Sequence, residues 1–155
     1  NLVETVTFVG RRGQVRTVPR QELGFSYRCM QPVQPELDGA AVVEVVLHLR
    51  QGDPREIHDR CRELVARRKA KQPAGVASAG SFFKNPPGDS AGRLIDAAGL
   101  KGLQRGGAMV STRHANFIVN TGTASAEDII GLMQEIQERV YRFSGVRLEP
   151  EVQLL

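Results

Sequence analysis

The chemistry-bearing residues of this chain concentrate in Gly80-Ser81-Phe82-Phe83-Lys84-Asn85-Pro86, where a hydroxyl, a cation and an amide surround two aromatic rings. On a short strand, Phe82 and Phe83 would put one ring on each face. Gly80 permits close approach of a backbone or ligand, and Pro86 stops the pairing. Ser81, Lys84 and Asn85 then make a donor-rich patch at a strand edge, suited to an anionic ligand. The plainer reading of the same residues is a strand that ends in a turn.

The elements that must position this patch come from a chain of 155 residues, a length that favours one domain with a real core. Charged residues make up 25% and apolar ones 41%, which is globular rather than disordered. The net charge of +4 and pI near 9.5 suit phosphorylated small molecules or nucleic acid without deciding between them. Cys29 and Cys61 lack CxxC spacing and a histidine at ligand spacing. They read as buried or free thiols in a reducing compartment, ahead of a disulfide. No apolar run approaches the ~18 residues of a membrane span, and the start does not resemble a signal peptide, so cytoplasmic is the default.

Along the chain, 2–9 and 14–18 alternate around Gly10-Arg11-Arg12-Gly13, which predicts a β-hairpin. The chain opens on Asn1 inside strand-like sequence without a methionine, as the interior of a longer protein would. Pro32, Pro35 and Gly39 mark a loop. Ala40 to Leu49 is mostly apolar and β-branched, which predicts a well-buried strand carrying His48 on a face. Asp53-Pro54-Arg55-Glu56 reads as a helix start, followed by Ile57, Cys61, Leu64 and Val65 on one apolar face. The cations from Arg67 to Lys71 complement the dipole at that helix's end. They lack the interleaved aromatics that base stacking uses.

Beyond Pro86, Ser90 caps a short helix from Ala91 to Ala98. Residues 108–111 and 116–120 predict two short strands, and His114 between them reads as fixing a turn, with no second ligand at metal spacing. Ser125 caps a last helix whose Ile129, Ile130, Met133, Ile136, Val140 and Phe143 form a core-facing stripe. Gly145 ends it, and Val146 to Leu155 reads as a closing strand. The sum is α+β, helices packed on a mixed or antiparallel sheet.

Taken in order, these segments resemble the UDP-N-acetylenolpyruvoylglucosamine reductase (UDP-N-acetylmuramate dehydrogenase) family. The resemblance runs through Phe25-Ser26-Tyr27-Arg28, Lys71-Gln72-Pro73, residues 78–86, Ala91-Gly92-Arg93-Leu94-Ile95 and Ala98-Gly99-Leu100-Lys101-Gly102. It continues through Gly106-Gly107-Ala108, residues 114–120 and Leu148-Glu149-Pro150-Glu151-Val152. It covers nearly the whole chain. It implies a bacterial flavoenzyme of peptidoglycan precursor synthesis, in which NADPH reduces FAD and the flavin reduces UDP-N-acetylglucosamine enolpyruvate to UDP-N-acetylmuramate.

By the same resemblance, Ser81 is the proton donor, Arg28 and Glu151 stabilise the developing enolate, and Lys71, Asn85 and Tyr27 contact the substrate. Ser81 and Glu151 are expected to border one cleft. Lys84 is expected to support the site structurally. The family's glycine-rich flavin loop is absent, so the chain reads as the C-terminal portion: 1–50 a remnant of the FAD-binding half, 51–155 the substrate-binding domain. On that reading the FAD-binding half is a missing partner, and neither FAD nor NADPH is expected on this piece. Gln153 stands where many relatives carry arginine. Two other classes compete: a stand-alone nucleotide-sugar-binding module without catalysis, and a small basic nucleic-acid-binding protein. The first is set apart by Arg28, Ser81 and Glu151 all being present; the second rests on charge alone.

Overall fold

Two glycines in four residues reverse the chain at its start. Gly13 adopts φ 80°, and its N–H bonds the Gly10 carbonyl at 2.9 Å. This turn joins β1 (Val3–Val9) to β2 (Val15–Pro19) in antiparallel register, with Val6 opposite Val18. The computed structural model describes residues 2–32 and 37–153. Pro35 and the last two residues of the expected closing strand lie outside them. The chain forms two compact units, 1–56 and 57–155.

In the first unit, β1 also pairs antiparallel with β5 (Ala41–Leu47), giving the order β2-β1-β5. A hairpin of β3 (Leu23–Ser26) and β4 (Cys29–Pro32) forms its second sheet. Val6, Phe8, Val18, Leu23 and Leu37 make a small core of their own. The expected burial of 40–49 is corrected here: all seven residues of β5 are exposed. Apolar side chains at both parities fit a strand covered on two faces, yet β5 is the edge strand of its sheet. Its β-branched residues shape the strand, while burial depends on what lies over it. His48 falls one residue past the strand and donates its N–H to the Leu2 carbonyl at 2.7 Å.

Helix α1 (Pro54–Lys71) starts where Asp53 Oδ1 accepts from the N–H groups of Arg55 (2.9 Å) and Glu56 (3.0 Å). Its face of Ile57, Cys61, Leu64 and Val65 forms as expected, but none of the four is buried.

The second unit is built on an antiparallel sheet of order β6-β9-β8-β7: β6 (Ala77–Ser78), β7 (Gln104–Arg105), β8 (Ala108–Val110) and β9 (Ile118–Asn120). Of the two arrangements the sequence allowed, every pairing is antiparallel. Helix α3 (Ala126–Ser144) packs on β7 and β8, and α2 (Ala91–Ala97) packs on α3. Ser125 and Asp128 form a reciprocal capping box, and Asp128 also accepts from the Gly107 N–H at 3.2 Å. These backbone donors, Ser125 foremost, hold the Asp128 carboxyl below its usual range. A Cβ at Gly107 would lie 2.2 Å from the Ala124 nitrogen, so only glycine lets the β7–β8 turn approach the helix start.

Leu132, Met133, Ile136 and Val140 of α3 are buried against Phe82, Phe83, Leu94, Ile95 and Val110. Phe143 keeps the stripe's spacing but is 58% exposed in the last turn. Periodicity sets a side chain's direction and does not guarantee a neighbour there. Gly145 ends the helix at φ 71°.

The expectation of one ring on each face at Phe82 and Phe83 is also corrected. Both rings are buried in the same core, with centroids 5.5 Å apart. The segment is not a regular strand, so alternation does not apply; its pairing is a single bridge, Phe83 with Pro150. Likewise residues 146–153 form no strand, since Pro150 lacks the N–H that would continue a ladder.

What holds the segment is Asn116. Its Oδ1 accepts from the Phe83 N–H (2.9 Å), its Nδ2 donates to the Phe83 carbonyl (2.8 Å), and its own carbonyl accepts from Phe82 (2.8 Å). Asn116→Ala strips the buried N–H and the carbonyl of Phe83 of their partners. At about 1–3 kcal/mol for each unsatisfied group, a stability loss of about 2–6 kcal/mol is expected in urea unfolding. A loss below ~0.5 kcal/mol would show that the clamp carries no weight.

Candidate functional site

Gly80 enters the segment at φ 85°, a left-handed conformation that explains glycine before Ser81. Ser81 is half-buried, and Phe82 next to it accepts the Glu151 N–H on its carbonyl at 2.9 Å. One bond further on, the Lys84 N–H donates to the Glu149 carbonyl at 2.8 Å. The antiparallel bridge thus sets Glu151 opposite Phe82, one residue along from Ser81. The Lys84 ammonium pairs with the Glu149 carboxylate, a structural tie between the two segments.

Asn85 is exposed, and its Oδ1 accepts from the Ala91 N–H at 3.1 Å, tying the segment to the start of α2. Ser90 Oγ caps the same helix through the Arg93 N–H. Arg93 in turn grips Asp89 through Nε at 2.6 Å and through Nη2, holding that carboxyl down to about 2. Lys71 is the last residue of α1 and is exposed. The second unit therefore carries Ser81, Glu151, Asn85 and Lys71.

Tyr27 and Arg28 belong to the first unit, at the tip of the β3–β4 hairpin. Ser26 pairs with Cys29, so these two residues are the whole turn. Arg28 takes φ 57°, the one positive φ of a non-glycine residue among the described residues. An arginine there costs on the order of 1–2 kcal/mol of backbone strain that glycine would avoid. Its guanidinium lies 5.6 Å from the Tyr27 ring centroid. Arg20 stacks more closely, 4.4 Å over Phe25 on the same hairpin.

Residue-by-residue reading gave no role to Asn116 and none to Lys101, and gave His114 only its turn. The turn is there: the His114 carbonyl accepts from Phe117 (3.0 Å), and Nδ1 accepts from the Asn116 N–H (3.3 Å). Burial foremost, and then the charges of Lys101 and Lys71, push the imidazole below its ordinary range against an opposing hydrogen bond to its own backbone. All three residues fall in segments that carried the resemblance, which was the available signal.

A short antiparallel sheet backed by helices, with a hydroxyl, a carboxylate and lysines on its loops, defines an α+β domain whose polar residues gather off the sheet. The second unit matches the family model for the C-terminal domain of UDP-N-acetylenolpyruvoylglucosamine reductase over residues 72–155, and the chain belongs to that family. It is 43% identical over 155 residues to the reductase of Trichlorobacter lovleyi, covering 100% of this chain and 50% of that protein. It is 46% identical over 155 residues to that of Methylococcus capsulatus, with the same coverage of 100% and 50%. A crystal structure of the Thermus caldophilus reductase superposes with a TM-score of 0.81 at 42% identity, covering 98% of this chain and 52% of that one. The chain spans about half the length of these relatives. No helix among the described residues is long and apolar enough to cross a membrane.

His114 is expected to titrate below the 6.5 of a free imidazole in NMR-detected pH titration of the ring carbons. Because the folded state disfavours its protonation, stability is full above the unfolded value and declines as pH falls through the folded one. A His114 titrating at or above 6.5 would contradict this environment.

Proposed function

We propose that this chain is the C-terminal portion of an NADPH- and FAD-dependent reductase that converts UDP-N-acetylglucosamine enolpyruvate to UDP-N-acetylmuramate in peptidoglycan precursor synthesis. The observation that carries the reading is the backbone juxtaposition of Ser81 and Glu151, two residues 70 positions apart that both lie in family segments. Residues 1–50 are read as the remnant of the FAD-binding half and 51–155 as the substrate-binding domain. The sequence holds no glycine-rich phosphate loop, so the flavin is assigned to the remaining half of the relatives' length. When bound there and reduced by NADPH, it supplies a hydride to the terminal carbon of the enolpyruvyl ether.

The residues of this chain answer the charge that results. Hydride addition leaves an electron pair on the neighbouring carbon, delocalised into its carboxylate. The Arg28 guanidinium offsets that charge, and Glu151 helps to stabilise it, as a hydrogen-bond donor only when it carries a proton. The Ser81 hydroxyl then gives its proton to the carbon. A hydroxyl is a weak acid, but a carbanion-like centre is basic enough to take its hydrogen. Lys71 and Asn85, with Tyr27, hold the UDP-sugar so that the reacting carbon faces the hydroxyl. The left-handed backbone at Arg28 fits a side chain held for function at a cost in stability.

The purified chain is expected to be colourless and to leave NADPH unoxidised. A yellow preparation holding about one flavin per chain would refute the assignment of the cofactor to the other half.

Co-expression with the N-terminal half of the Methylococcus capsulatus relative tests the catalytic reading. The pair should turn over NADPH continuously only when the enolpyruvyl substrate is present. Ser81→Ala should slow substrate reduction by about 10²–10⁴-fold while leaving flavin reduction intact. Glu151→Gln should retain more activity than Glu151→Ala, because the amide still donates. Equal slowing of both half-reactions by Ser81→Ala would sink the proton-donor role. A pair that binds UDP-sugar and never turns over would favour a binding module instead.

A further inference from the structure

Glu151 lies in a segment that no sheet ladder holds. Residues 146–153 form no strand, and Pro150 has no N–H to offer. Two backbone bonds tie the segment to residues 82–84, from the Lys84 N–H to the Glu149 carbonyl and from the Glu151 N–H to the Phe82 carbonyl. Everything else that holds it comes from α3. After Gly145 the chain runs back along that helix, and side chains one turn apart on α3 meet successive residues of the segment. Ser144 Oγ accepts from the Val146 N–H at 3.3 Å, and the Tyr141 ring lies 4.7 Å from the Arg147 guanidinium. Gln137 Nε2 then donates to the Leu148 carbonyl at 2.9 Å.

The three ties are not equal. Ser144, Tyr141 and Arg147 are exposed, whereas Gln137 is half-buried and Leu148 is 3% exposed in the core. An open groove of about 580 Å³, lined by Gln137 and Tyr141 and by residues 147–150, shows how little else fills the space there. The carboxamide thus gives a buried carbonyl the partner that a neighbouring strand would give. Its own place is firm, because Ile136 and Val140 beside it on α3 are fully buried. Pro150 fixes its own φ and restricts Glu149, so a shift at Leu148 is carried on to Glu151 and not absorbed between them.

We infer that Gln137 is a positioning residue for Glu151: its bond to the Leu148 carbonyl sets where the carboxylate stands beside the Ser81 segment. This rests on the reading of Glu151 given above and adds to it a residue that touches no substrate. The helix that builds the core thereby also aims the site.

Amide hydrogen exchange followed by NMR on the chain tests the placement, with the Phe83 N–H as control because Asn116 holds it independently. Gln137→Met should lower the protection of the Glu151 N–H about tenfold and leave that of Phe83 unchanged. Gln137→Lys keeps a donor of similar reach and should keep most of that protection. Gln137→Glu keeps the volume and loses the donor, so it decides should Gln137→Met fail to fold. Unchanged protection of Glu151, or an equal loss at Phe83, would overturn the inference.

Turnover by the pair co-expressed with the Methylococcus capsulatus half tests the consequence. Gln137→Met should lower kcat for substrate reduction about tenfold, with KM and flavin reduction little changed. In a Glu151→Ala background the same change should cost nothing further, because the residue it places is gone. Additive losses would show that Gln137 acts elsewhere and would overturn its role. Should Glu151→Ala itself leave turnover intact, it is the reading of Glu151 that fails, and this inference with it.

Discussion

One buried carboxamide ties the second unit together. Asn116 spends its oxygen and its nitrogen on the two polar groups of Phe83 and its own carbonyl on Phe82. A backbone buried outside any sheet ladder must find such partners or pay for desolvation, and here a side chain takes the place of a strand. With one edge of the segment held by Asn116, the other edge is open to the 149–151 segment. The register of that second pairing decides that Ser81 and Glu151 become neighbours. The rings of Phe82 and Phe83 can then both enter the core, because the segment is not bound by the alternation of a pleated strand.

The same loop organises the unit's charge. Asn116 follows His114 by two residues, and its N–H lies against the imidazole Nδ1 at 3.3 Å. The clamp that orders the Ser81 segment therefore also touches the imidazole of His114. Burial foremost, and the charges of Lys101 and Lys71 after it, penalise a protonated imidazole there.

The first unit and α1 tell a different physical story. β5 and α1 have the residues of buried elements, and their side chains are exposed. Each keeps its backbone structure from local causes: β-branched residues and pairing with β1 in one case, an aspartate cap and helical spacing in the other. Apolar surface of this kind fits the proposal that residues 1–50 belong to a larger flavin-binding half.

What the sequence determined by itself was local. Glycine placement fixed the first hairpin and the end of α3, serine and aspartate fixed three helix starts, and 3.6-residue periodicity fixed the face of α3. Ordered short motifs identified the family, since Ser81, Asn85 and Glu151 stand in segments that only together are specific. Tertiary structure decided everything that depends on a neighbour. It sent both rings of Phe82 and Phe83 into one core, left Phe143 and β5 exposed, and kept the last segment from becoming a strand at Pro150. It also brought Lys101 and Lys71, thirty residues apart, near enough for both charges to act on His114. Spacing along a chain gives the direction of a side chain. Burial and charge coupling are properties of what stands opposite, and the sequence does not encode that locally.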